Sequence, residues 1–198
     1  MSETRIACLG WGSLLWDPRT LPLAGPFQRQ GPSLPIEFSR VALDGRVTLV
    51  IDSTALDTQT YWAPLAVESL DGAIAGLGLR ERIAPDRWSD WIGLQSNSMR
   101  GANSGRADPV VRERIADWLC DQGLDAIVWT ALPSRRPNGD ERKPDTEELL
   151  THLKSLSGEA RSRTEEYIRR APGSLRTFNR VRFEEELGWN PVVAEDEG

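Results

Sequence analysis

A short apolar run that leads directly into a glycine-containing turn is the clearest candidate site in this sequence. The run covers residues 6–9, and the turn reads Gly10-Trp11-Gly12-Ser13-Leu14. Glycine adopts backbone angles that other residues avoid and lets a ligand approach the main chain closely. Successive N–H groups in such a turn can form a concave site for a carboxylate or phosphate. The pattern predicts a buried strand followed either by an anion-binding turn or by a plain tight turn between core strands.

The turn lacks the features of the common glycine-rich motifs. A dinucleotide-binding fingerprint needs a third glycine and opens a helix, whereas Trp16-Asp17-Pro18 follows soon after Gly12. No Gly-Lys-Ser/Thr follows, as a P-loop requires, and Ser13 does not lie within a G-x-S-x-G motif. We therefore interpret Ser13 as a hydrogen-bonding residue of a turn that suits one small anionic group.

Glu81 is the carboxylate whose position most suggests acid–base chemistry. It is predicted at the end of a helix, with Leu79 before it and Ile83 after it. A carboxyl group with apolar neighbours can exchange protons near neutral pH. The alternative, which the local sequence favours, is a surface glutamate paired with Arg80 or Arg82. This position therefore supports two interpretations at this stage.

Several other polar residues are weaker candidates. Tyr167 is typical of a tyrosine that packs between helices, although its hydroxyl could reach a pocket. Four charged residues have no distinguishing context: Glu37, Arg40, Asp52 and Arg100.

The histidine and cysteine content disfavours metal and triad chemistry. His152 is the only histidine, and Cys8 and Cys120 are isolated thiols. A zinc site needs about three or four clustered ligands, so we expect no metal and no cofactor. We interpret both cysteines as small buried side chains and His152 as a solvated surface residue.

Composition predicts an ordinary globular chain. It has 198 residues, of which 39% are apolar and 27% charged, and a net charge of −6, which argues against nucleic acid or an anionic membrane as partner. We predict a single domain over residues 1–190 and an acidic tail over 191–198. The start of the chain lacks a signal-peptide pattern and no apolar run is long enough to span a bilayer, so we expect a cytoplasmic location. The oligomeric state is left open.

The elements that would position the candidate residues follow from local patterns. Asp44-Gly45 between two β-rich runs predicts a hairpin over residues 34–51. Pro64 places the run 61–67 at a sheet edge or at a bulge. Asp71 is expected to cap the helix that carries Glu81. Further elements are a helix from Asp108-Pro109 to Gly123, a strand over 124–130, polar loops over 95–108 and 133–144, and helices over 147–156 (capped by Asp145 or Thr146), 160–170 and up to Leu187.

Three segments, in this order, resemble the γ-glutamylcyclotransferase-like family, which includes the ChaC-type enzymes and the wider AIG2-like group. Leu9-Gly10-Trp11-Gly12-Ser13-Leu14-Leu15-Trp16-Asp17-Pro18 resembles the glycine-rich signature after the family's first strand, typically Tyr-Gly-Ser-Leu or Tyr-Gly-Ser-Asn. Leu79-Arg80-Glu81-Arg82 is similar to the ChaC-type Arg-Glu-Lys segment, which carries the catalytic glutamate. Glu166-Tyr167-Ile168 is similar to the family's Glu-Tyr-Leu segment, whose tyrosine approaches the substrate.

The resemblance implies an α+β fold, namely a small, mixed, largely antiparallel β-barrel flanked by helices, with a helical C-terminus. It implies an enzyme that converts a γ-glutamyl amine or peptide to 5-oxoproline and a free amine. Glu81 would be the general acid/base, and no metal or cofactor would be needed. The residues implied to bind this small-molecule substrate are Gly10, Trp11, Gly12, Ser13, Leu14 and Tyr167.

Two other functions are compatible with the sequence. Trp11 stands where the family usually has tyrosine and Arg82 where it has lysine, which favours a non-catalytic small-molecule binding protein with the same barrel and pocket. The third possibility is an adaptor that acts through exposed tryptophans, for which Trp88, Trp91 and Trp189 are the candidates.

Overall fold

The computed structural model describes residues 4–97 and 108–192. Within these residues the fold is α+β, with seven strands and six α-helices. The strands are β1 (Ile6–Gly10), β2 (Ser33–Val41), β3 (Val47–Ile51), β4 (Asp57–Gln59), β5 (Tyr61–Pro64), β6 (Ile92–Ser96) and β7 (Ala126–Thr130). The helices are α1 (Leu70–Glu81), α2 (Trp88–Trp91, after a 3-10 turn at Pro85–Arg87), α3 (Pro109–Asp121), α4 (Thr146–Ser155), α5 (Gly158–Arg170) and α6 (Phe178–Leu187).

The chain divides into two compact units, each assembled from segments that are separated in sequence. The first unit comprises Met1–Gly10, Asp17–Leu34 and Gln59–Leu132, and the second comprises Trp11–Trp16, Pro35–Thr58 and Pro133–Gly198. Of the candidate residues, Gly10 and Glu81 belong to the first unit. The second unit contains Trp11, Gly12, Ser13, Leu14 and Tyr167.

The first unit is built on a four-stranded sheet in the order β5-β1-β7-β6. Its inner strand β1 is parallel to β7 and antiparallel to β5, and β6 is antiparallel to β7. All five residues of β1 are buried, as an uninterrupted apolar run predicts. Of the two positions predicted for the strand that contains Pro64, an edge or a bulge, the edge is observed among the named strands of this sheet. Helices α1 and α3 contact this sheet.

The second unit contains a three-stranded sheet in the order β3-β2-β4. The predicted hairpin is confirmed: β2 and β3 pair antiparallel, and Gly45 in the connecting turn has φ +85°, an angle that favours glycine. Both sheets have two edge strands among the described residues, so neither closes on itself there. The α+β class is therefore observed, and the β-barrel stays a prediction.

A fully buried arginine fixes the helical end of the second unit. Arg180 has no exposed side-chain surface and donates to the carbonyl oxygens of Ile168, Ala171 and Pro172 at and just beyond the end of α5. It also pairs with Glu184 at 3.2 Å. The last carbonyls of a helix have no partner within the helix, so this guanidinium supplies donors that the end of α5 needs.

The boundaries of two elements differ from the prediction. The N-cap of α1 is Ser69, whose hydroxyl accepts from the Gly72 N–H at 3.1 Å. Asp71 lies inside the first turn instead, where a carboxylate favours the helix dipole. Residues 95–96, predicted to begin a polar loop, end strand β6, and residues 98–107 lie outside the described residues. At α4 the cap is Asp145, in a capping box with Glu148.

Two expectations about isolated side chains are wrong. Cys8 is buried as predicted, but Cys120 is exposed, because it follows Leu119 directly and so falls off the buried face of α3. His152 is half-buried rather than solvated, with Nε2 2.7 Å from the Gly45 carbonyl oxygen. Of the predicted acidic tail, residues 193–198 lie outside the described part of the chain. No helix in the described ranges combines the length and apolar character needed to cross a bilayer.

Candidate functional site

Residues 11–14 of the glycine turn lie in the second unit and form a tight backbone turn. The Leu15 N–H donates to the Gly12 carbonyl oxygen at 3.0 Å, and Gly12 has φ +87°. Trp11 and Leu14 are buried. Within residues 4–97 and 108–192, the N–H groups of Gly12 and Leu14 donate to no other protein group. Such N–H groups are what a small anion needs for binding by the main chain.

Tyr167 packs directly against this turn. A Cβ at Gly12 would collide with the Tyr167 hydroxyl oxygen, and Cζ lies 3.2 Å from that Cβ position. The Tyr167 ring makes a T-shaped contact with Trp16, with ring centroids 5.5 Å apart. It makes a second T-shaped contact with Phe38, with centroids 6.4 Å apart. Glycine is therefore required at position 12 both for its positive φ and for the approach of the phenol. The first and third segments of the family resemblance meet at this point.

Two arginines cover the aromatic rings beside the turn. The Arg46 guanidinium lies 5.8 Å from the Tyr167 ring centroid, and that of Arg170 lies 5.5 Å from the Trp16 centroid. Each also has a carboxylate partner, since Arg46 pairs with Asp44 at 2.7 Å and Arg170 with Glu166 at 3.0 Å. Sequence reasoning gave neither arginine a role, because cation–π contacts across the fold leave no local pattern.

Glu81 is the last residue of α1, in the first unit. Its Oε1 accepts from Arg80 Nη1 at 2.5 Å, and the exposed fractions of the two side chains are 18% for Glu81 and 3% for Arg80. Arg80 Nη2 also donates to the Asp17 carbonyl oxygen at 2.6 Å. The alternative interpretation of Glu81 thus named a correct partner, but the Arg80 side chain is buried and the Glu81 side chain is half-buried.

Backbone hydrogen bonds close the end of α1 around Glu81. Arg82 has φ +56° and its N–H donates to the Leu79 carbonyl, while the Ile83 N–H donates to the Gly78 carbonyl at 2.9 Å. The Trp88 indole fills the space that a side chain at Gly78 would take. Leu79, however, is 67% exposed, so the apolar surroundings expected for Glu81 are only partly present.

Cys8 and Gly10 on β1 accompany Glu81 in the first unit. Burial raises the pKa of the Cys8 thiol, the negative charge of Glu81 raises it further, and the charge of Arg80 opposes both. This thiol therefore stays protonated and is a poor nucleophile. Gly10 is needed for packing, because the Phe27 ring occupies the place of a side chain there.

Glu37, a weaker candidate, has a structural environment in the second unit. Its carboxylate accepts from its neighbour Phe38 N–H at 2.7 Å and from the Asn179 N–H, in the first turn of α6, at 3.3 Å. Burial raises the pKa of Glu37, and hydrogen bonds from Thr177, Phe38 and Asn179 lower it by less. The contacts with Asn179 and Thr177 connect β2 to the start of α6, so we assign Glu37 to the fold.

The other weaker candidates also belong to the fold where the structure describes them. Arg40 donates to the Pro133 carbonyl oxygen at 2.7 Å. The pKa of Asp52 lies below its usual value. Burial alone would raise this pKa, but hydrogen bonds from Thr54 and the Lys143 ammonium, 3.1 Å away, lower it by more. Arg100 lies outside the described residues.

The tryptophans proposed for an adaptor surface do not form an exposed set. Trp189 is buried, with the Arg161 guanidinium 5.2 Å from its ring centroid. Trp88 and Trp91 are half-buried, and the Trp88 indole N–H donates to the Ile83 carbonyl oxygen at 2.9 Å.

The burial of Arg80 is the feature of this region that sequence reasoning missed. Its burial was visible in the helical period, because Ala73, Leu77 and Arg80 are spaced four and three residues apart on one face of α1. All three are buried. An arginine on a core-facing stripe requires hydrogen-bond partners, and this signal could have shown that the arginine paired with Glu81 is buried.

No group of three or more His, Cys, Asp or Glu side chains in the described ranges is arranged to hold a metal ion. Comparison with known proteins adds no relative: no family model, no curated protein and no solved structure matches the chain.

Proposed function

We propose that this protein is a γ-glutamylcyclotransferase-like enzyme. One observation carries the proposal: the Gly12 turn and Tyr167 contact each other in the second unit. These two positions are far apart in the chain and correspond to two of the family's segments. That contact is what a tyrosine that approaches a turn-bound substrate requires. The small β-barrel implied by the same resemblance is part of this proposal.

The proposed reaction is an intramolecular aminolysis. The α-amine of the substrate attacks its own γ-carbonyl carbon, so one C–N bond forms the five-membered ring of 5-oxoproline and the bond to the departing amine breaks. Glu81 takes the proton from the α-ammonium group and returns one to the departing nitrogen, so no water, oxidant or reductant is consumed. The protein supplies no nucleophile, which agrees with the protonated state of the Cys8 thiol.

The turn and Tyr167 would hold the substrate. The N–H groups at Gly12, Ser13 and Leu14 would bind its anionic end, with Gly10 and Trp11 as flanking parts of the same segment. Orienting two reacting groups of one molecule can contribute roughly 7–11 kcal/mol to lowering a barrier in favourable cases. In this mechanism orientation is the main task of the protein, and proton transfer by Glu81 adds a further factor of about 10²–10⁴.

The reaction type can be tested with a panel of γ-glutamyl amines, amino acids and dipeptides. Products are quantified by mass spectrometry, and the proposal predicts 5-oxoproline and free amine in equal amounts from at least one substrate. Glutamate in place of 5-oxoproline would indicate hydrolysis, and no product from any member of the panel would refute an enzyme of this class.

The ion pair of Glu81 favours a second candidate function, a non-catalytic binding protein. A carboxylate held by a buried arginine could serve only to fix the end of α1. In that case isothermal titration calorimetry would detect binding of a γ-glutamyl compound while the compound is recovered intact. Binding accompanied by turnover would exclude this alternative.

A further inference from the structure

Arg80 is a buried cation with two defined acceptors. It lies on the face of α1 that packs into the first unit, with 3% of its side chain exposed. Nη1 donates to Glu81 Oε1 at 2.5 Å, and Nη2 donates to the Asp17 carbonyl oxygen at 2.6 Å. Two different nitrogens of one planar group therefore hold two different partners.

This use of two nitrogens explains why the position holds an arginine. A guanidinium presents its donors in a fixed fork, whereas a lysine ammonium is a single point charge on a flexible stem. Taking a charged group out of water is costly unless it is paired and hydrogen-bonded. A hydrophobic residue would fill the same position on α1 at lower cost, so the arginine has to be explained by what it holds.

We propose that Arg80 is the positioning residue for Glu81. It fixes Oε1, and the described residues provide no hydrogen-bond donor to Oε2, so the carboxylate presents Oε2 for proton transfer. This inference rests on the proposed function. The proton passes from the substrate ammonium to Oε2 and then to the departing nitrogen.

The second contact of Arg80, with the Asp17 carbonyl oxygen, also lies within the first unit. Asp17 directly follows Trp11–Trp16 in the chain, and Gly10 directly precedes it. Arg80, Glu81, Gly10 and Asp17 all belong to the first unit. One guanidinium therefore contacts both the proposed acid/base and the backbone of Asp17 within the first unit.

The kinetic test compares Arg80→Met and Arg80→Lys with the wild type. A displacement of about 1 Å at a reacting group can cost about 100-fold in rate, so we expect Arg80→Met to lower kcat by that factor. KM should stay within roughly threefold, because the turn and not Glu81 binds the ground state. The kcat of Arg80→Lys, whose ammonium can hold one partner, should lie between those of the wild type and Arg80→Met.

The matched control is Arg136→Met, which breaks another arginine–glutamate pair, that with Glu148, and should leave kcat unchanged. Circular dichroism and the Tm of each variant establish that the compared samples are folded. A loss of kcat in Arg136→Met equal to that in Arg80→Met, or an unchanged kcat in folded Arg80→Met, would overturn the inference.

Crystal structures of the wild type and both variants provide a readout that does not depend on turnover. We expect the Glu81 carboxylate to shift in Arg80→Met and to keep its place in Arg80→Lys. An unmoved carboxylate in Arg80→Met would refute positioning even if the enzyme is active. Conversely, a shifted carboxylate in a protein that forms no 5-oxoproline would refute the reaction and leave the positioning role supported.

Discussion

Replacing Gly12 by alanine tests the contact on which the proposed substrate site depends. Gly12 has φ +87°, and its missing Cβ leaves room for the Tyr167 hydroxyl oxygen. Tyr167 cannot easily retreat, because it is buried and its ring is in contact with Trp16 and Phe38. A methyl group at position 12 would therefore strain the backbone and also overpack the second unit.

The two contributions can be estimated separately. A left-handed backbone angle costs a residue with a side chain about 1–2 kcal/mol. Overpacking a well-filled site costs about 1–3 kcal/mol. We expect Gly12→Ala to lower the free energy of unfolding by about 2–5 kcal/mol, the sum of both effects.

Two other variants separate strain from collision. Gly45 has nearly the same angle, φ +85°, but a Cβ there would meet only Leu156 Cδ2 at 3.6 Å. Gly45→Ala should therefore cost only the backbone strain, about 1–2 kcal/mol. Tyr167→Phe removes the colliding oxygen and leaves Cζ at 3.2 Å from the new Cβ, so Gly12→Ala should be less harmful in the Tyr167→Phe background than in the wild type.

The assay is urea unfolding followed by tryptophan fluorescence and by far-UV circular dichroism, with coincident transitions required before free energies are compared. The double-mutant cycle for positions 12 and 167 should give a coupling of about 1–3 kcal/mol. Equal costs for Gly12→Ala and Gly45→Ala, together with a coupling near zero, would refute the contact between the turn and Tyr167.

Two further predictions concern the polar contacts of the second unit. Arg180→Met should lower the free energy of unfolding by about 3–5 kcal/mol because it leaves Glu184 and the end of α5 without their buried donor. The control is Arg176→Met, at an exposed arginine that also contacts Glu184. This control should lower the free energy of unfolding by less than about 1 kcal/mol in the same urea titration. Asp52→Asn should destabilise the protein at pH 7, since the pKa of Asp52 is lowered in the folded state. The ionised carboxylate then stabilises the fold above its unfolded pKa, so this difference should shrink as the pH falls below 3.8 and through the folded pKa; a difference that grows towards acid pH would contradict the assignment.

The elements that could be predicted from the sequence are those with strong local chemistry. The Asp44-Gly45 turn defines its hairpin, and Asp108-Pro109 defines the start of α3. Strand β6 was missed because Gly93 weakens the strand pattern, whereas in the fold the Trp129 indole needs the space beside it. That requirement comes from the neighbouring strand β7 and leaves no trace in the sequence around Gly93.

The candidate site was predictable to a lesser extent. The Gly12 turn was identified from its residues, but its contact with Tyr167 was expected only through the family resemblance, since nothing local connects positions so distant in the chain. The burial of Arg80 could have been predicted from the helical period of α1, whereas its contact with the Asp17 carbonyl oxygen could not. The assignment of Trp11–Trp16 to the second unit, with its flanking residues in the first, likewise depends on long-range packing.

The rate of 5-oxoproline formation in wild type and Glu81→Gln tests the central claim most directly. The substrate is the best member of the γ-glutamyl panel, and Glu148→Gln, at another arginine-paired glutamate, is the control. The account predicts that Glu81→Gln lowers kcat by about 10²–10⁴ while binding persists, and that Glu148→Gln keeps wild-type kcat. Equal rates of 5-oxoproline formation in wild type and folded Glu81→Gln would contradict it.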